Sequence, residues 1–154
     1  MLKDFTKEDL VKEYKEQDVL NLRLKSIYNS MQEWDAKQWA LFEHCGRDLD
    51  LVEDINLLDD IDTDEIDFNG ETILVLTDNE ADNRWDEELQ YYFDEIVLPE
   101  IPDCYQNYMD YRQWRHDARM DGRGHAIARY DGEENQYKIE FDDDSECWIF
   151  IYRM

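Results

Sequence analysis

Carboxylates at regular spacing are the residues of this 154-residue chain whose pattern can carry chemistry. Four of them fall at positions one, three, five and twelve of an EF-hand calcium loop: Asp60, Asp62, Asp64 and Glu71. The sixth position, which needs Gly for a sharp turn, is Glu65, and the eighth, normally apolar, is Asp67. The segment 60–71 is therefore only a weak candidate for a divalent-cation site.

A second set of carboxylates has the spacing of phosphates. On the helix predicted after Thr77, two rows form at four-residue and at seven-residue steps: Asp78, Asp82 and Asp86, and Glu80, Glu87 and Asp94. Side chains three or four apart on a helix lie about 5–6 Å from one another, which approaches the separation of successive phosphates along a strand. Five more carboxylates adjoin these rows: Asp59, Asp60, Asp62, Asp64 and Glu65. Together they predict a folded surface that imitates duplex DNA.

Nucleophilic and metal chemistry lack their usual spacings. The three histidines, His44, His116 and His125, join no cysteine or carboxylate in a zinc pattern such as CxxC or HExxH. His44 and Cys45 are adjacent, so they need not face one site. The segment 122–125 is too short for a phosphate-binding loop and is predicted to be a turn. The sequence thus favours a protein that is not an enzyme, with no catalytic residue and no cofactor.

The net charge is −25, from 16 Lys and Arg against 41 Asp and Glu. Residues 48–104 hold 21 acidic side chains and one basic residue, Arg84, whereas residues 1–47 are nearly balanced. A small soluble domain needs a net charge of only about 2–8 in magnitude, so we interpret this asymmetry as functional. A protein this negative is repelled by nucleic acid and by anionic lipid, which argues against direct binding to either.

The elements that must position these carboxylates follow from periodicity and capping residues. The length and the distribution of charge predict one domain, 1–154, with a charge-balanced helical N-terminal subregion at 1–47 and an acidic α+β core at 48–154. Thr6 begins a helix that carries Leu10, Val11 and Tyr14, and a longer apolar stripe runs from Leu20 through Trp34 and Trp39 to Gly46. Whether Trp34 and Trp39 are core or anchors for a partner stays open.

In the acidic core, Asn69-Gly70 predicts a hairpin and residues 72–76 a strand, while 48–64 fits helix and strand equally well. Thr77 with Glu80 opens a helix that ends at Pro99 and Pro102. Its predicted buried face is Ala81, Trp85, Leu89, Tyr92, Phe93 and Ile96. A further helix is predicted from 103 to 120, with an apolar stripe made of Cys104, Tyr108, Tyr111, Trp114 and Ala118. Strands 136–141 and 147–152 close the chain, so the class is α+β, with amphipathic helices packed on a small, mainly antiparallel sheet.

The C-terminal half resembles a group of proteins through four stretches: Val75 to Asp82, Asp121 to His125, Tyr130 to Asn135, and Ile151 to Arg153. These resemble small, acidic, mostly uncharacterised proteins of bacteriophages and mobile elements. The resemblance implies a mobile-element origin and a role similar to DNA-mimicking inhibitors of host defence, of the anti-CRISPR or antirestriction kind. It supplies no catalytic residues, and the pattern of the ArdA-type antirestriction proteins is not found.

We therefore expect a non-enzymatic inhibitor whose partner is a basic nucleic-acid-binding protein of the host defence machinery, a CRISPR effector before a restriction enzyme. A homodimer is compatible with the sequence. An odd number of cysteines and no apolar leader or membrane span predict a reducing cytoplasm, and the resemblance implies that this is the cytoplasm of a bacterial host. Two alternatives stay open: a module that binds a host protein through its N-terminal helices, and a divalent-cation-binding protein that uses 60–71.

Overall fold

In the computed structural model, which describes residues 2–13 and 22–154, helices pack on a four-stranded sheet. The α-helices of this described part are α1 (Lys7–Glu13), α2 (Leu22–Met31), α3 (Ala36–His44), α4 (Val52–Asn56), α5 (Asp78–Tyr92), α6 (Asp103–Gln106), α7 (Tyr111–Ala118) and α8 (Arg123–Ile127). The strands are β1 (Ile66–Phe68), β2 (Glu71–Thr77), β3 (Asn135–Glu140) and β4 (Glu146–Arg153). The predicted α+β class is confirmed. Among the described residues, no helix has both the length and the apolarity to cross a membrane.

The sheet has the order β1-β2-β4-β3, and each neighbouring pair is antiparallel. Asn69 and Gly70 join β1 to β2 with φ values of +50° and +78°, both in the left-handed region that a two-residue hairpin turn requires. The predicted hairpin is thus confirmed. The predicted closing hairpin is also present, since β3 and β4 pair from Asn135 opposite Ile151 to Glu140 opposite Glu146.

The two central strands, β2 and β4, are buried on both faces because helices cover the sheet on each side. One set of side chains packs with the N-terminal helices: Ile73, Val75, Ile149 and Ile151. The alternate set packs with Ala81 of α5 and Ile127 of α8: Leu74, Leu76, Phe150 and Tyr152. Alternation along each strand thus divides the apolar side chains between two clusters.

The N-terminal helices belong to the first of these clusters. The apolar stripe that the sequence runs from Leu20 to Gly46 is interrupted, because α2 ends at Met31 and Asp35 caps α3 in a capping box with Gln38. Trp34 and Trp39 are 5% and 0% exposed, so both are core residues. Of the residues predicted for the first two helices, Tyr14, Leu20 and the side chain of Val11 lie outside the described part.

The segment after α5 differs from its prediction. At Phe93 the helix continues as a π-helical turn (Phe93–Val97) and a 3-10 turn (Leu98–Glu100), and the single helix predicted over 103–120 is two helices, α6 and α7. We call residues 93–118 the helical arm. Four side chains placed on apolar stripes by periodicity are exposed: Tyr92 (49%), Ile96 (43%), Cys104 and Tyr108 (83%). Phe93 instead packs with Trp114, with ring centroids 5.2 Å apart.

A short helix replaces the turn predicted at 122–125. Gly122 has a φ of +92°, and α8 begins at the next residue, Arg123. Gly124 lies against the backbone of Glu134, where a Cβ atom would be 2.8 Å from the amide nitrogen. This close approach brings Arg123 beside Glu134 and beside the first turns of α5.

Candidate partner-binding surface

The most acidic connection in the fold is the segment after α4, residues 57–65, which we call the acidic loop. Leu58 and Ile61 are partly buried against the hydrophobic core that the N-terminal helices form with the sheet, so two side chains anchor the loop to this core. The carboxylates between and after them are exposed: Asp59, Asp60, Asp62 and Asp64. Asp62 also accepts a hydrogen bond from the backbone N–H of Asp64 at 2.9 Å, which forms a local turn.

Lys37 of α3 binds the backbone of the acidic loop. The residue is 8% exposed, and its Nζ donates to the carbonyl oxygens of Ile61 at 2.9 Å and of Asp62 at 3.3 Å. The same ammonium lies 2.8 Å from Oε1 of Glu80 in the first turn of α5. A buried ammonium needs such partners because burial otherwise costs several kcal/mol. Lys37 therefore joins the acidic loop to both α3 and α5.

Glu80 has a second role at the start of α5. Its side chain accepts the backbone N–H of Thr77 at 3.0 Å, while Thr77 Oγ1 accepts the N–H of Glu80 at 3.3 Å. The capping box predicted from these two residues is confirmed. Burial alone raises the pKa of Glu80, but the hydrogen bonds from Lys37 and from Thr77 outweigh it and lower the pKa below its ordinary value. Glu80 is thus an ionised structural group.

The row of carboxylates at four-residue steps on α5 faces this chain's own arginines. Nη1 of Arg123 donates to Asp78 at 2.9 Å and to Asp82 at 2.8 Å. One turn further along α5, Asp86 pairs with Arg115 at 3.0 Å and also with Arg119. These arginines lie on α7, on the 3-10 turn that follows it and on α8, so the row attaches the C-terminal helices to α5.

Arg123 is the centre of a larger buried network. Its side chain is 11% exposed, and Nε donates to Glu134 at 2.6 Å, while Glu134 also accepts the hydroxyl of Tyr152. The guanidinium lies 4.5 Å from the ring centroid of Phe150. Burial alone lowers the pKa of Arg123, but the hydrogen bonds to Glu134 and Asp78 outweigh it and raise the pKa. Burial also raises the pKa of Tyr152, which keeps its hydroxyl protonated.

The eleven carboxylates that the sequence assigns to the DNA-like surface therefore divide into two groups. Five form ion pairs inside the molecule: Glu65 with Arg129, Glu80 with Lys37, and Asp78, Asp82 and Asp86 with the arginines of the C-terminal helices. Six are exposed and form no ion pair with any described residue: Asp59, Asp60, Asp62, Asp64, Glu87 and Asp94. The spacing of the carboxylates in the sequence placed both groups on one surface, because spacing does not show which carboxylates have an arginine or lysine packed against them.

The basic residues are largely used in internal pairs of this kind. Ten of those described form salt bridges with carboxylates: Lys3, Lys37, Arg47, Arg84, Arg115, Arg119, Arg123, Arg129, Lys138 and Arg153. The exposed carboxylates thus have few cations near them, and the outer surface is strongly anionic. Two of these pairings, Arg47 with Glu43 and Arg84 with Glu88, have the i,i+4 spacing of a helix. The pairs that hold the row on α5 and the end of the acidic loop join residues far apart in the sequence, so spacing does not show them.

The calcium loop is not assembled. Residues 66–71 form the β1–β2 hairpin, so the twelve-residue loop that would wrap a cation is interrupted by paired strands. Glu71, its twelfth position, pairs with Arg153 at 3.0 Å and lies 3.5 Å from His44. Across residues 2–13 and 22–154, no three or more His, Cys, Asp or Glu side chains form a group that could hold a metal ion. The described structure therefore does not bring Asp60, Asp62, Asp64 and Glu71 together as a calcium loop.

His44 and Cys45 do not form a nucleophilic pair. Nδ1 of His44 lies 2.7 Å from the hydroxyl of Tyr137, and the rings of these two residues meet edge to face. Burial, with smaller contributions from nearby carboxylates, raises the pKa of the Cys45 thiol to about 11. A thiol with this pKa is protonated near neutral pH, so it is a poor nucleophile.

Comparison of the chain with protein-family models, with curated proteins and with solved structures finds no match.

Proposed function

We propose that the protein is a non-enzymatic inhibitor that mimics DNA and occupies the basic nucleic-acid-binding groove of a bacterial defence protein. The observation that carries this proposal is the acidic loop, whose side chains Asp59, Asp60, Asp62 and Asp64 are exposed while Lys37 holds its backbone. Carboxylates that are fixed before binding lose less conformational entropy when they meet a partner. Such a surface resembles a phosphate backbone more closely than a mobile acidic tail does.

The mechanism is competition. A nucleic-acid-binding groove presents Lys and Arg, and a surface of exposed carboxylates satisfies those cations in place of phosphates. The attraction acts at long range because the chain carries a net charge of −25, and salt weakens it because exposed charges are screened. The internal pairing of ten cations favours this mechanism, since it leaves few positive groups on the outside to repel a basic partner.

The contact surface in this proposal consists of Asp59, Asp60, Asp62 and Asp64 of the acidic loop, together with Glu87 and Asp94 on the exposed side of α5 and its π-helical extension. The five carboxylates in internal ion pairs support this surface and do not belong to it. The choice of a defence protein, a CRISPR effector before a restriction enzyme, rests on the resemblance of the C-terminal half to small acidic phage proteins.

The experiment begins with capture. The protein is immobilised, exposed to a bacterial lysate at about 0.05 M salt, and eluted with duplex DNA, because low salt preserves interactions between exposed charges. Each eluted protein is purified, and its binding to labelled duplex DNA is measured by fluorescence anisotropy with increasing amounts of the acidic protein. We expect inhibition that weakens at least tenfold at about 0.5 M salt, where the Debye length is a few Å.

Two variants test the contact surface. The loop variant carries Asp59→Asn, Asp60→Asn, Asp62→Asn and Asp64→Asn. The matched control removes the same charge from exposed carboxylates elsewhere: Glu33→Gln, Glu100→Gln, Glu133→Gln and Asp142→Asn. We expect inhibition to weaken at least tenfold in the loop variant and less than twofold in the control. Equal weakening of inhibition in both variants would mean that inhibition depends only on net charge and not on the acidic loop. A captured partner that binds no nucleic acid would overturn the proposal.

A further inference from the structure

A cleft of 520 Å³ lies between α5, α8 and α7, the last helix of the helical arm. One wall is aromatic, formed by Tyr91, Tyr92 and Trp114, and the planes of Tyr92 and Trp114 are nearly parallel, with an angle of 11° and centroids 6.0 Å apart. Asp117 and Asp121 belong to the lining of the same cleft. Aromatic faces beside carboxylates attract cations that have a planar, weakly hydrated head.

Among the described residues, the molecule already binds its own arginines in this way at several places, at three of which the guanidinium lies within 4.6 Å of the ring centroid. In each, a guanidinium lies over an aromatic ring and pairs with a carboxylate: Arg119 over Trp85 at 4.6 Å with Asp86, Arg123 over Phe150 at 4.5 Å with Glu134, and Arg153 over Tyr130 at 4.2 Å with Glu71. Ring and carboxylate together thus form a receptor for arginine that recurs in this fold.

The cleft has the same aromatic rings and carboxylates, but no arginine of this chain lies on its rings. Among the described residues, no cation lies over Tyr91, Tyr92 or Trp114, and neither Asp117 nor Asp121 forms an ion pair. Asp117 accepts only an amide hydrogen bond, from Gln113 at 3.1 Å.

The two remaining charged side chains that line the cleft are already paired. Glu88 bonds Arg84 at 2.9 Å, and the guanidinium of Arg129 pairs with Glu65 at the end of the acidic loop. His125 completes the polar lining. The two aspartates are therefore the carboxylates left for a cation that enters from outside.

The geometry points to this cleft as the receptor for one arginine side chain of the partner protein, with the guanidinium on the Tyr92–Trp114 wall and paired with Asp117 and Asp121. This inference rests on the proposed function, since a basic groove supplies the arginine. It adds a specific contact to the general attraction of the acidic loop. An arginine seated between rings and carboxylates discriminates among basic partners, whereas exposed carboxylates attract all of them.

The test uses short peptides on the ¹⁵N-labelled protein. The probe is acetyl-Gly-Ser-Arg-Ser-Gly-amide, and the matched peptides carry lysine or the neutral isostere citrulline in place of arginine. We expect the arginine peptide to cause saturable shifts in the indole N–H resonance of Trp114. Its affinity should be several-fold higher than that of the lysine peptide, and the citrulline peptide should bind more weakly than either. Equal binding of the arginine and lysine peptides, or citrulline binding as tight as that of lysine, would overturn the assignment.

The variant Asp117→Asn with Asp121→Asn retains the shape of the cleft and removes two charges. We expect it to weaken binding of the arginine peptide at least fivefold, while Glu133→Gln with Asp142→Asn, a matched loss of two exposed charges, changes it less than twofold. An unchanged affinity in the first variant would contradict the inference. The loop variant described above should bind the peptide normally, so a failure of the cleft and a failure of the DNA-mimic function give different results.

Discussion

Lys37 and Glu80 form an ion pair of 2.8 Å between α3 and α5, and Lys37 is 8% exposed. The pair connects α3, α5 and the acidic loop, because the ammonium of Lys37 also donates hydrogen bonds to the carbonyl oxygens of Ile61 and Asp62. The most acidic part of the chain is therefore organised around one buried cation. This relationship makes the position of the loop carboxylates a property of the folded core.

Lys37→Met keeps the apolar stem and removes the ammonium. We expect the free energy of unfolding to fall by about 2 kcal/mol, since two carbonyls lose a donor and Glu80 loses its cation. Urea denaturation followed by tryptophan fluorescence measures the change. Lys25→Met is the control, because Lys25 is exposed and forms no ion pair among the described residues. Similar stability losses in the two variants would mean that Lys37 does not anchor the loop.

The stability that Glu80 contributes depends on pH. Its folded-state pKa is lower than its ordinary value of 4.5, so the folded protein favours the ionised form more than the unfolded chain does. The contribution is therefore complete above pH 4.5 and is lost as the pH falls through the lower folded-state pKa. We expect the stability difference between the natural protein and Glu80→Gln to be constant near neutral pH and to shrink below pH 4.5. A difference that stays constant in acid would contradict this assignment.

The paired and exposed carboxylates should behave differently when they are neutralised. The triple variant Asp78→Asn, Asp82→Asn and Asp86→Asn removes two of the three carboxylates that hold Arg123 and the one that holds Arg115 and Arg119. We expect it to lower the free energy of unfolding by about 1–2 kcal/mol, since each ion pair with an exposed aspartate contributes less than about 1 kcal/mol.

The loop variant provides the comparison, because it removes like charges that form no ion pair among the described residues. We expect its stability to be unchanged within about 0.5 kcal/mol or slightly raised. Thermal unfolding of both variants in one buffer measures the contrast. A triple variant as stable as the natural protein would show that the arginine contacts contribute nothing to the fold.

Features that depend on neighbouring residues were predictable from the sequence. The turn at Asn69-Gly70 and the capping box of Thr77 and Glu80 are both present, because a few backbone angles and side-chain oxygens determine them locally. The α+β class follows from the same local signals together with strand alternation.

Features that depend on distant residues were not predictable. Arg123 lies 45 positions from Asp78, so spacing along α5 places Asp78 correctly in a row without showing that an arginine pairs with it. Likewise, helical periodicity counts Tyr92 and Tyr108 as buried, but burial requires a second element opposite, and the helical arm leaves both exposed. The break between α6 and α7 contains no proline or glycine, and its one local signal is the N-cap Asp110, which accepts the N–H of Gln113.

Gly124→Ala tests the close packing that positions Arg123. A Cβ at this site would lie 2.8 Å from the backbone nitrogen of Glu134, and backbone cannot move aside as a flexible side chain can. We expect a loss of about 2 kcal/mol or more in the free energy of unfolding, by overpacking and by displacement of Glu134. Gly46→Ala is the comparison, since that site has open space and only its φ of +70° opposes a side chain, which costs about 1 kcal/mol.

A double-mutant cycle with Arg123→Met then identifies the cause of the Gly124→Ala loss. If the added methyl group acts by moving Glu134 away from Arg123, the two substitutions remove the same 2.6 Å contact, and their combined cost is smaller than the sum of the single costs. Urea denaturation of the four proteins measures this coupling. Additive costs would instead mean that Gly124 matters only for the packing of α8, and that the Arg123–Glu134 contact survives the substitution.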